Sequence, residues 1–142
     1  MLSWPDFDPN RILFEDDALL AVDKPAGVTS QESREGADDD VPARLRRMLG
    51  ARDHVPAERE YLGIHQRLDQ DTSGVLVYAR CRAANPSLAS QFEGRTLRKV
   101  YVAAVDHWTA QGTTTLRHQL SPRTHGRVEA HARDGRVEAH AR

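Results

Sequence analysis

Residues 61–80 read YLGIHQRLDQDTSGVLVYAR, and this stretch decides the fold. A short apolar run comes first, a polar turn with Asp69 and Asp71 follows, and residues 75–79 are apolar again. Apolar runs of this length on either side of a polar turn are typical of β-strands. The stretch therefore predicts two strands joined by a polar connection.

Two further apolar runs precede this stretch, at residues 12–14 and 18–22. The acidic pair Asp16 and Asp17 lies between them, and this arrangement predicts a β-hairpin. The sequence KPAG at residues 24–27 then predicts a turn that ends the second strand, because Pro presets φ and Gly tolerates positive φ.

Two helices are predicted from apolar spacing and from end signals. Residues 41–49 have apolar side chains at helical spacing, and Gly50 is expected to stop this helix. Asn85 as the cap and Pro86 as the first helical residue predict a second helix, which Gly94 ends.

The remaining apolar segments predict strands at residues 97–105 and, more weakly, at 113–120. Short strands outnumber helices, and the connections are too short for repeated βαβ crossovers. We therefore predict an α+β fold, with a largely antiparallel mixed sheet and two or three short helices. The length of 142 residues predicts a single domain over residues 1–142.

The C-terminal residues 126–142 contain the octapeptide GRVEAHAR twice, with Asp134 between the copies. Asp134 and Gly135 form a preferred pair for a type I′ turn, which predicts a hairpin. Ala is a poor strand former, so a duplicated tail that packs poorly is the alternative interpretation.

Composition excludes several classes of protein. The chain is 39% apolar and 29% charged, which argues against disorder throughout. It has no apolar run of 18 residues and no signal-peptide pattern at its N-terminus, so we expect neither a membrane association nor secretion. Cys81 is the one cysteine and has no partner for an internal disulfide. A cytoplasmic location is therefore predicted.

Charge is distributed unevenly along the chain. Residues 1–40 hold 3 basic and 11 acidic side chains, and an acidic loop is predicted over residues 28–40. Residues 41–142 hold 17 basic and 10 acidic side chains, and 18 of the 20 basic residues are Arg. This basic remainder permits a polyanionic partner. Genome base composition, which also enriches Arg over Lys, is the alternative explanation.

The polar turn holds the strongest candidates for chemistry. His65, Arg67 and Asp69 alternate along an extended run, which predicts that all three point to one face. A carboxylate beside a guanidinium and an imidazole suits a nucleophile or base with an anion clamp. The alternative is that Asp69 only caps a turn. The seven His residues lack metal-ligand spacing, so no metal site is predicted.

The string HQRLDQDTSGVLV at residues 65–77 resembles the catalytic motif of the RluA-type pseudouridine synthases, in which His-Arg-Leu-Asp-x-x-Thr-Ser-Gly precedes an apolar strand. Residues 12–27 are similar to the opening hairpin of that family, and residues 98–105 are similar to its Lys-x-Tyr-x-Ala strand. The three segments follow the family order and cover most of the chain.

The resemblance implies an enzyme that isomerises uridine to pseudouridine in ribosomal or transfer RNA, without a cofactor. It makes Asp69 the catalytic carboxylate, which either attacks C1′ or removes the 2′ proton. Arg67 would fill the gap left by the flipped-out uridine. Tyr101 would pack on the uracil, although an inward-facing strand aromatic is the alternative. Residues 24–27 match the family as scaffold.

Two departures from the family pattern affect these expectations. Gln66 separates His65 from Arg67, so no role is assigned to His65. The family's later segment Gly-Arg-x-His-Gln-Ile-Arg, whose Arg pairs with the catalytic carboxylate, has no match here, since LRHQL at residues 116–120 comes too early and lacks the Gly-Arg. We therefore expect Asp69 to lack its usual cation, leaving Arg67 as the nearest substitute.

The same missing segment affects the sheet and the assembly. We expect an incomplete sheet with an uncovered edge, and a monomer whose edge allows self-association. Three functional interpretations remain: an RNA pseudouridine synthase, a truncated inactive relative that only binds RNA, and a structural or interaction domain without catalysis.

Overall fold

The computed structural model describes residues 7–31, 39–105 and 112–113, together with the backbone of residues 118–120 and 130–132. The chain divides into two compact units, residues 1–97 and residues 98–142. That residues 1–142 act as one domain stays a prediction. Among the described residues, no helix has the length and apolar character needed to cross a membrane.

The first unit contains a four-stranded sheet in the order β1-β2-β4-β3, and every neighbouring pair of strands is antiparallel. Two α-helices accompany it. The elements are β1 Ile12–Glu15, β2 Leu19–Lys24, α1 Val41–Asp53, β3 Gly63–Ile64, β4 Gly74–Ala79 and α2 Asn85–Glu93. The predicted α+β fold with an antiparallel sheet and two short helices is confirmed.

The predicted hairpin is formed by β1 and β2, and Asp16 closes its turn. The Asp16 carboxylate accepts hydrogen bonds from the backbone N–H groups of Ala18 at 2.8 Å and of Leu19 at 2.7 Å. A short acidic side chain that bonds nearby amides in this way stabilises a turn. Strand β2 ends at Lys24, and Gly27 has the positive φ of 87° that its turn requires.

Alternation along the strands builds the core on one face of the sheet. In β2 every second residue is buried, and Val22 lies opposite Leu76 of β4. Helix α1 contributes apolar side chains at helical spacing to the same cluster. The buried apolar residues of β2, β4 and α1 are Leu20, Val22, Leu76, Tyr78, Val41, Leu45 and Leu49.

Both outer strands, β1 and β3, and the inner strand β4 leave large apolar side chains in solvent. Leu13 and Phe14 of β1 are more than half exposed, as is Val75 of β4, and Ile64 of β3 is also exposed. This is the kind of surface expected of an uncovered edge. Self-association through it stays a prediction.

Helix α1 begins as expected but ends later than predicted. The Asp40 carboxylate caps it by accepting from the N–H of Ala43 at 2.8 Å. The prediction that Gly50 stops the helix is wrong, because α1 continues to Asp53 and ends where His54 adopts a left-handed φ of 56°. Gly50 has a packing role instead.

Three other sequence predictions need correction or lie outside the described residues. Asn85 is not the cap of α2, which is Ala84, because the Asn85 side chain bonds His65 instead. Residues 97–105 form no strand, although they have strand-type composition, since a strand also needs a partner for its backbone groups. Most of the acidic loop, residues 32–38, is not described.

The second unit contains a two-stranded antiparallel sheet, β5 His118–Leu120 with β6 Ala130–Ala132. Strand β5 confirms the end of the weak strand predicted at residues 113–120. Strand β6 belongs to the first GRVEAHAR copy and pairs with β5. The second copy lies outside the described residues. The predicted turn at Asp134 and Gly135 lies outside the described residues.

Gly50 permits a close approach of the chain that follows α1. A Cβ atom added there would lie 2.5 Å from the carbonyl oxygen of Val55 and 3.2 Å from the nitrogen of Ala57. Both contacts are with backbone atoms, which cannot move aside easily.

We expect Gly50→Ala to lower the free energy of unfolding by about 1 to 2 kcal/mol, because this overlap outweighs the roughly 1 kcal/mol by which Ala favours a helix over Gly. Urea denaturation monitored by circular dichroism measures the change. A more stable Ala variant would contradict the packing role.

An ion-pair network fastens the end of α1 to the sheet. Arg52 donates two hydrogen bonds of 2.7 Å to the Glu15 carboxylate and a third of 2.7 Å to Asp53. Arg80, which follows β4, adds a 3.0 Å pair with Glu60. The hydrogen bonds from Arg52 hold the pKa of Glu15 and that of Asp53 below their usual values.

A carboxyl group whose pKa is lowered by folding stabilises the protein above its unfolded pKa and loses that effect as pH falls. We therefore expect Glu15→Gln to lower the free energy of unfolding by about 1 kcal/mol at pH 7 and to flatten its decline below about pH 5. Urea titrations across this pH range measure both effects. The control is Asp17→Asn, since Asp17 forms no ion pair with the described residues; equal losses in the two variants would contradict the network.

Candidate active site

The candidate site is the connection between β3 and β4, residues 65–73. The strands that flank it are antiparallel neighbours, with Gly63 opposite Ala79 and Ile64 opposite Tyr78. Strand β3 ends at Ile64, so strand pairing does not set the direction of the side chains in this connection. Other contacts must hold the connection in place, and every second residue of the connection makes them.

The even-numbered residues of the connection are its anchors. Gln66 donates from Nε2 to the carbonyl of Val75 at 3.1 Å. Leu68 packs against the core, and its N–H donates to Ser30 Oγ at 2.9 Å, while Ser30 Oγ donates to the Leu68 carbonyl. Gln70 donates from Nε2 to the carbonyl of Gly27 at 3.2 Å, and its own carbonyl accepts from the Gly27 N–H at 2.9 Å.

The odd-numbered residues Arg67, Asp69 and Asp71 are exposed. Among the described residues, no group forms a hydrogen bond or an ion pair with the Asp69 carboxylate. The turn at this point is closed by the Asp69 backbone carbonyl, which accepts from the Thr72 N–H at 3.0 Å. The Asp69 side chain is therefore not a turn cap within the described structure, and its carboxylate is open to a ligand.

Lys24 anchors the connection from its buried side. Its side chain is fully buried, and its Nζ donates to the carbonyls of Pro25 at 3.0 Å, Val28 at 2.7 Å and Gln70 at 2.8 Å. Three acceptors satisfy all three donors of an ammonium group. This one side chain joins the turn after β2 to the centre of the candidate site.

Lys24 interacts electrostatically with the two aspartates of the connection. Burial lowers the pKa of Lys24, and the negative charges of Asp71 and Asp69 oppose this shift. The buried ammonium is therefore attracted by both carboxylates. Arg67 was expected to substitute for the usual cation of Asp69, and this stays a prediction. Lys24 is a further cation that interacts with Asp69 and that the sequence analysis did not single out. The signal was present, because Lys24 continues the buried alternation of Leu20 and Val22.

His65 is placed differently from Arg67 and Asp69. Its Nε2 lies 2.8 Å from Oδ1 of Asn85, and its ring stacks on Phe92 with centroids 6.2 Å apart. Both partners belong to α2. Gly63 leaves room for the Asn85 side chain, since a Cβ there would lie 2.1 Å from its Oδ1. His65 thus connects the start of the candidate site to α2, and the prediction that it shares an outer face with Arg67 and Asp69 is not met.

Tyr101 belongs to the second unit. Its side chain is 64% exposed, in the extended segment that follows residue 97. The alternative that Tyr101 is an inward-facing strand aromatic is wrong, since it is neither in a strand nor buried. Arg67 and Asp69 share one connection of the first unit.

The family model described as RNA pseudouridylate synthase matches residues 18–141. This chain belongs to the RNA pseudouridylate synthase family. The match includes both aspartates of the connection and continues through most of the duplicated C-terminal segment.

Curated relatives identify the chain as an RluA-type member of this family. It is 32% identical to an uncharacterized RNA pseudouridine synthase, YhcT, of Bacillus subtilis over 72% of the chain, and 37% identical to ribosomal large subunit pseudouridine synthase D of Xanthomonas campestris over 71%. It is 36% identical to the dual-specificity RNA pseudouridine synthase RluA of Vibrio vulnificus over 71%. These matches span 32%, 29% and 37% of the relatives, so the chain covers about a third of their length.

Among solved structures, the human RNA pseudouridylate synthase domain containing 4 is 28% identical, with a TM-score of 0.45. The match covers 61% of this chain and 31% of that protein.

We expect Lys24→Met to loosen the connection and lower the free energy of unfolding by about 2 kcal/mol, because three backbone carbonyls lose the ammonium as a donor. Hydrogen exchange at the Gly27 amide, which bonds the Gln70 carbonyl, should accelerate. Lys99→Met is the control, since Lys99 is exposed and is the only other lysine. Unchanged Gly27 exchange in the Lys24 variant would contradict the anchoring role.

Proposed function

We propose that this chain carries the catalytic centre of an RNA pseudouridine synthase, with Asp69 as the catalytic carboxylate. The observation that carries the proposal is the exposure of Arg67 and Asp69 on a connection whose intervening residues, Gln66, Leu68 and Gln70, are held by the protein. A carboxylate on an anchored backbone, with no hydrogen-bond or ion-pair partner among the described residues, suits a reaction at a bound substrate.

The reaction rearranges one nucleotide without a net change in its atoms. The bond from uracil N1 to ribose C1′ breaks, the base turns, and a bond from C5 to the same C1′ forms. The proton released from C5 is balanced by the proton gained at N1, so no cofactor is required. Asp69 acts at the ribose, either by attack on C1′ or by removal of the 2′ proton. Both roles use the carboxylate oxygens, which the exposed position of Asp69 leaves accessible to a bound ribose.

Arg67 and Tyr101 are the proposed substrate-binding residues. The Arg67 guanidinium is exposed two residues before Asp69, where it can occupy the gap that a flipped-out uridine leaves in an RNA helix. Tyr101 presents an exposed aromatic ring that can pack on the uracil. Base extrusion gives the carboxylate access to a ribose that stacking otherwise shields.

The proposed substrate is ribosomal RNA, with transfer RNA as the second possibility within the same reaction. Relatives are named ribosomal large subunit pseudouridine synthases C and D, and one is named a dual-specificity enzyme. We further propose that the protein acts as a monomer in the cytoplasm, where its RNA substrates lie.

We expect Asp69→Asn to abolish pseudouridine formation and to leave RNA affinity within a few-fold, because the change removes the ionisable group and little else. The measurement is release of tritium from RNA whose uridines are tritiated at C5, with binding followed by fluorescence anisotropy. Asp71→Asn is the matched control, since Asp71 is an exposed carboxylate on the same connection.

The control variant should retain most of its activity. Turnover by the Asp69 variant would contradict the assignment of Asp69. RNA binding without tritium release by the unmutated chain would favour the interpretation as a relative that only binds RNA.

A further inference from the structure

A groove of about 630 Å³ lies outside the candidate active site, between α1 and the chain that leads into β3. One wall is the α1 face around Arg46 and Arg47, and the other includes Arg59 and Tyr61. Arg82, which follows β4, completes the lining. The groove lies wholly within the first unit, and no step of the proposed reaction uses it.

The charge that faces the groove is positive. Four of its lining residues are arginines, and two are glutamates, Glu58 and Glu60. Glu60 is nearly buried and is paired at 3.0 Å with Arg80, which does not line the groove. Glu58 is the other acidic residue of the lining, and it faces the three arginines Arg46, Arg59 and Arg82. Arginine clusters of this kind recognise phosphate groups through paired N–H donors.

The groove also contains a site suited to stacking. The guanidinium of Arg82 lies over the ring of Tyr61, 5.0 Å from the ring centroid. The ring supports the guanidinium on one side, and because the Arg82 side chain is exposed, a planar ligand can also reach it. Bases of single-stranded nucleic acid stack on aromatic rings and on arginine planes. Phosphate-binding arginines combined with a stacking plane favour RNA over an acidic protein surface.

We propose that this groove, lined by Arg46, Arg59, Tyr61 and Arg82, binds a single-stranded RNA segment that flanks the modified uridine. The proposal rests on the proposed function of the chain. Tyr61 and Arg67 are separated by six residues, or at most about 21 Å of extended chain. An RNA strand held in the groove therefore lies within a few nucleotides of the candidate active site.

The test measures binding of the full chain to a fluorescein-labelled twelve-residue oligouridylate by anisotropy, across a series of salt concentrations. We expect Arg59→Gln combined with Arg82→Gln to raise Kd more than about tenfold at 0.1 M salt. The slope of log K against log salt should fall by about 1.4, since each single-strand phosphate contact contributes about 0.7.

The matched control combines Arg95→Gln with Arg98→Gln, which removes the same charge from exposed arginines outside the groove. Its Kd should change less than about threefold. Equal losses in the two double variants would show that net charge alone matters and would overturn the proposal, as would an unchanged Kd in the groove variant.

A second pair of substitutions keeps the test valid if the glutamine variant does not fold. Arg59→Lys combined with Arg82→Lys retains the charge but loses paired donors and the guanidinium plane, so the salt slope should persist while Kd rises several-fold. A lysine variant with unchanged Kd would overturn the stacking and paired-donor role.

Failure of this proposal can be distinguished from failure of the proposed function. If the unmutated chain releases tritium and the groove variants bind RNA normally, the groove assignment is wrong and the enzyme assignment stands. If RNA binding depends on the groove but no tritium is released, the groove assignment stands alone. A chain that binds no RNA at low salt overturns both.

Discussion

The buried ammonium of Lys24 is the interaction on which the rest of the structure depends. A charge removed from water is costly unless its hydrogen bonds are replaced, and here three backbone carbonyls replace them. Two of these carbonyls belong to the turn after β2 and the third belongs to Gln70. The turn and the connection that holds Asp69 are therefore fixed together, and the loss of either would leave the charge with fewer than its three acceptors. The same charge attracts the nearby carboxylates of Asp69 and Asp71.

Local rules predicted the elements whose stabilising contacts are also local. The β1–β2 hairpin follows from Asp16, whose carboxylate accepts from the amides two and three residues ahead. The start of α1 follows from Asp40, the neighbouring residue that caps it. The rules failed where distant residues decide. Gly50 was expected to end a helix, but it is small because Val55 returns close to it. Asn85 was expected to cap α2, but its side chain is used by His65, twenty positions earlier.

The reactive residues of the site were easier to predict than the residues that hold them. Arg67 and Asp69 stand in a motif whose spacing is specific, so their chemistry could be inferred before their positions were known. Lys24 was interpreted as scaffold, because nothing in a linear sequence shows that three carbonyls will surround it. Residues 97–105 have the composition of a strand, yet strand formation depends on a partner that composition does not specify.

Between Gln66 and Asp71, residues that are anchored to the protein alternate with residues that present their charged side chains to solvent. Inserting or deleting one residue there would exchange the two sets, turning the guanidinium and carboxylate towards the protein and the anchoring side chains towards solvent. Point changes at the outer positions can leave the backbone intact, whereas a change of length by one residue cannot. During divergence, the chemistry of the site therefore limits which side chains can occupy the outer positions. The geometry of the anchoring contacts limits the length of the segment.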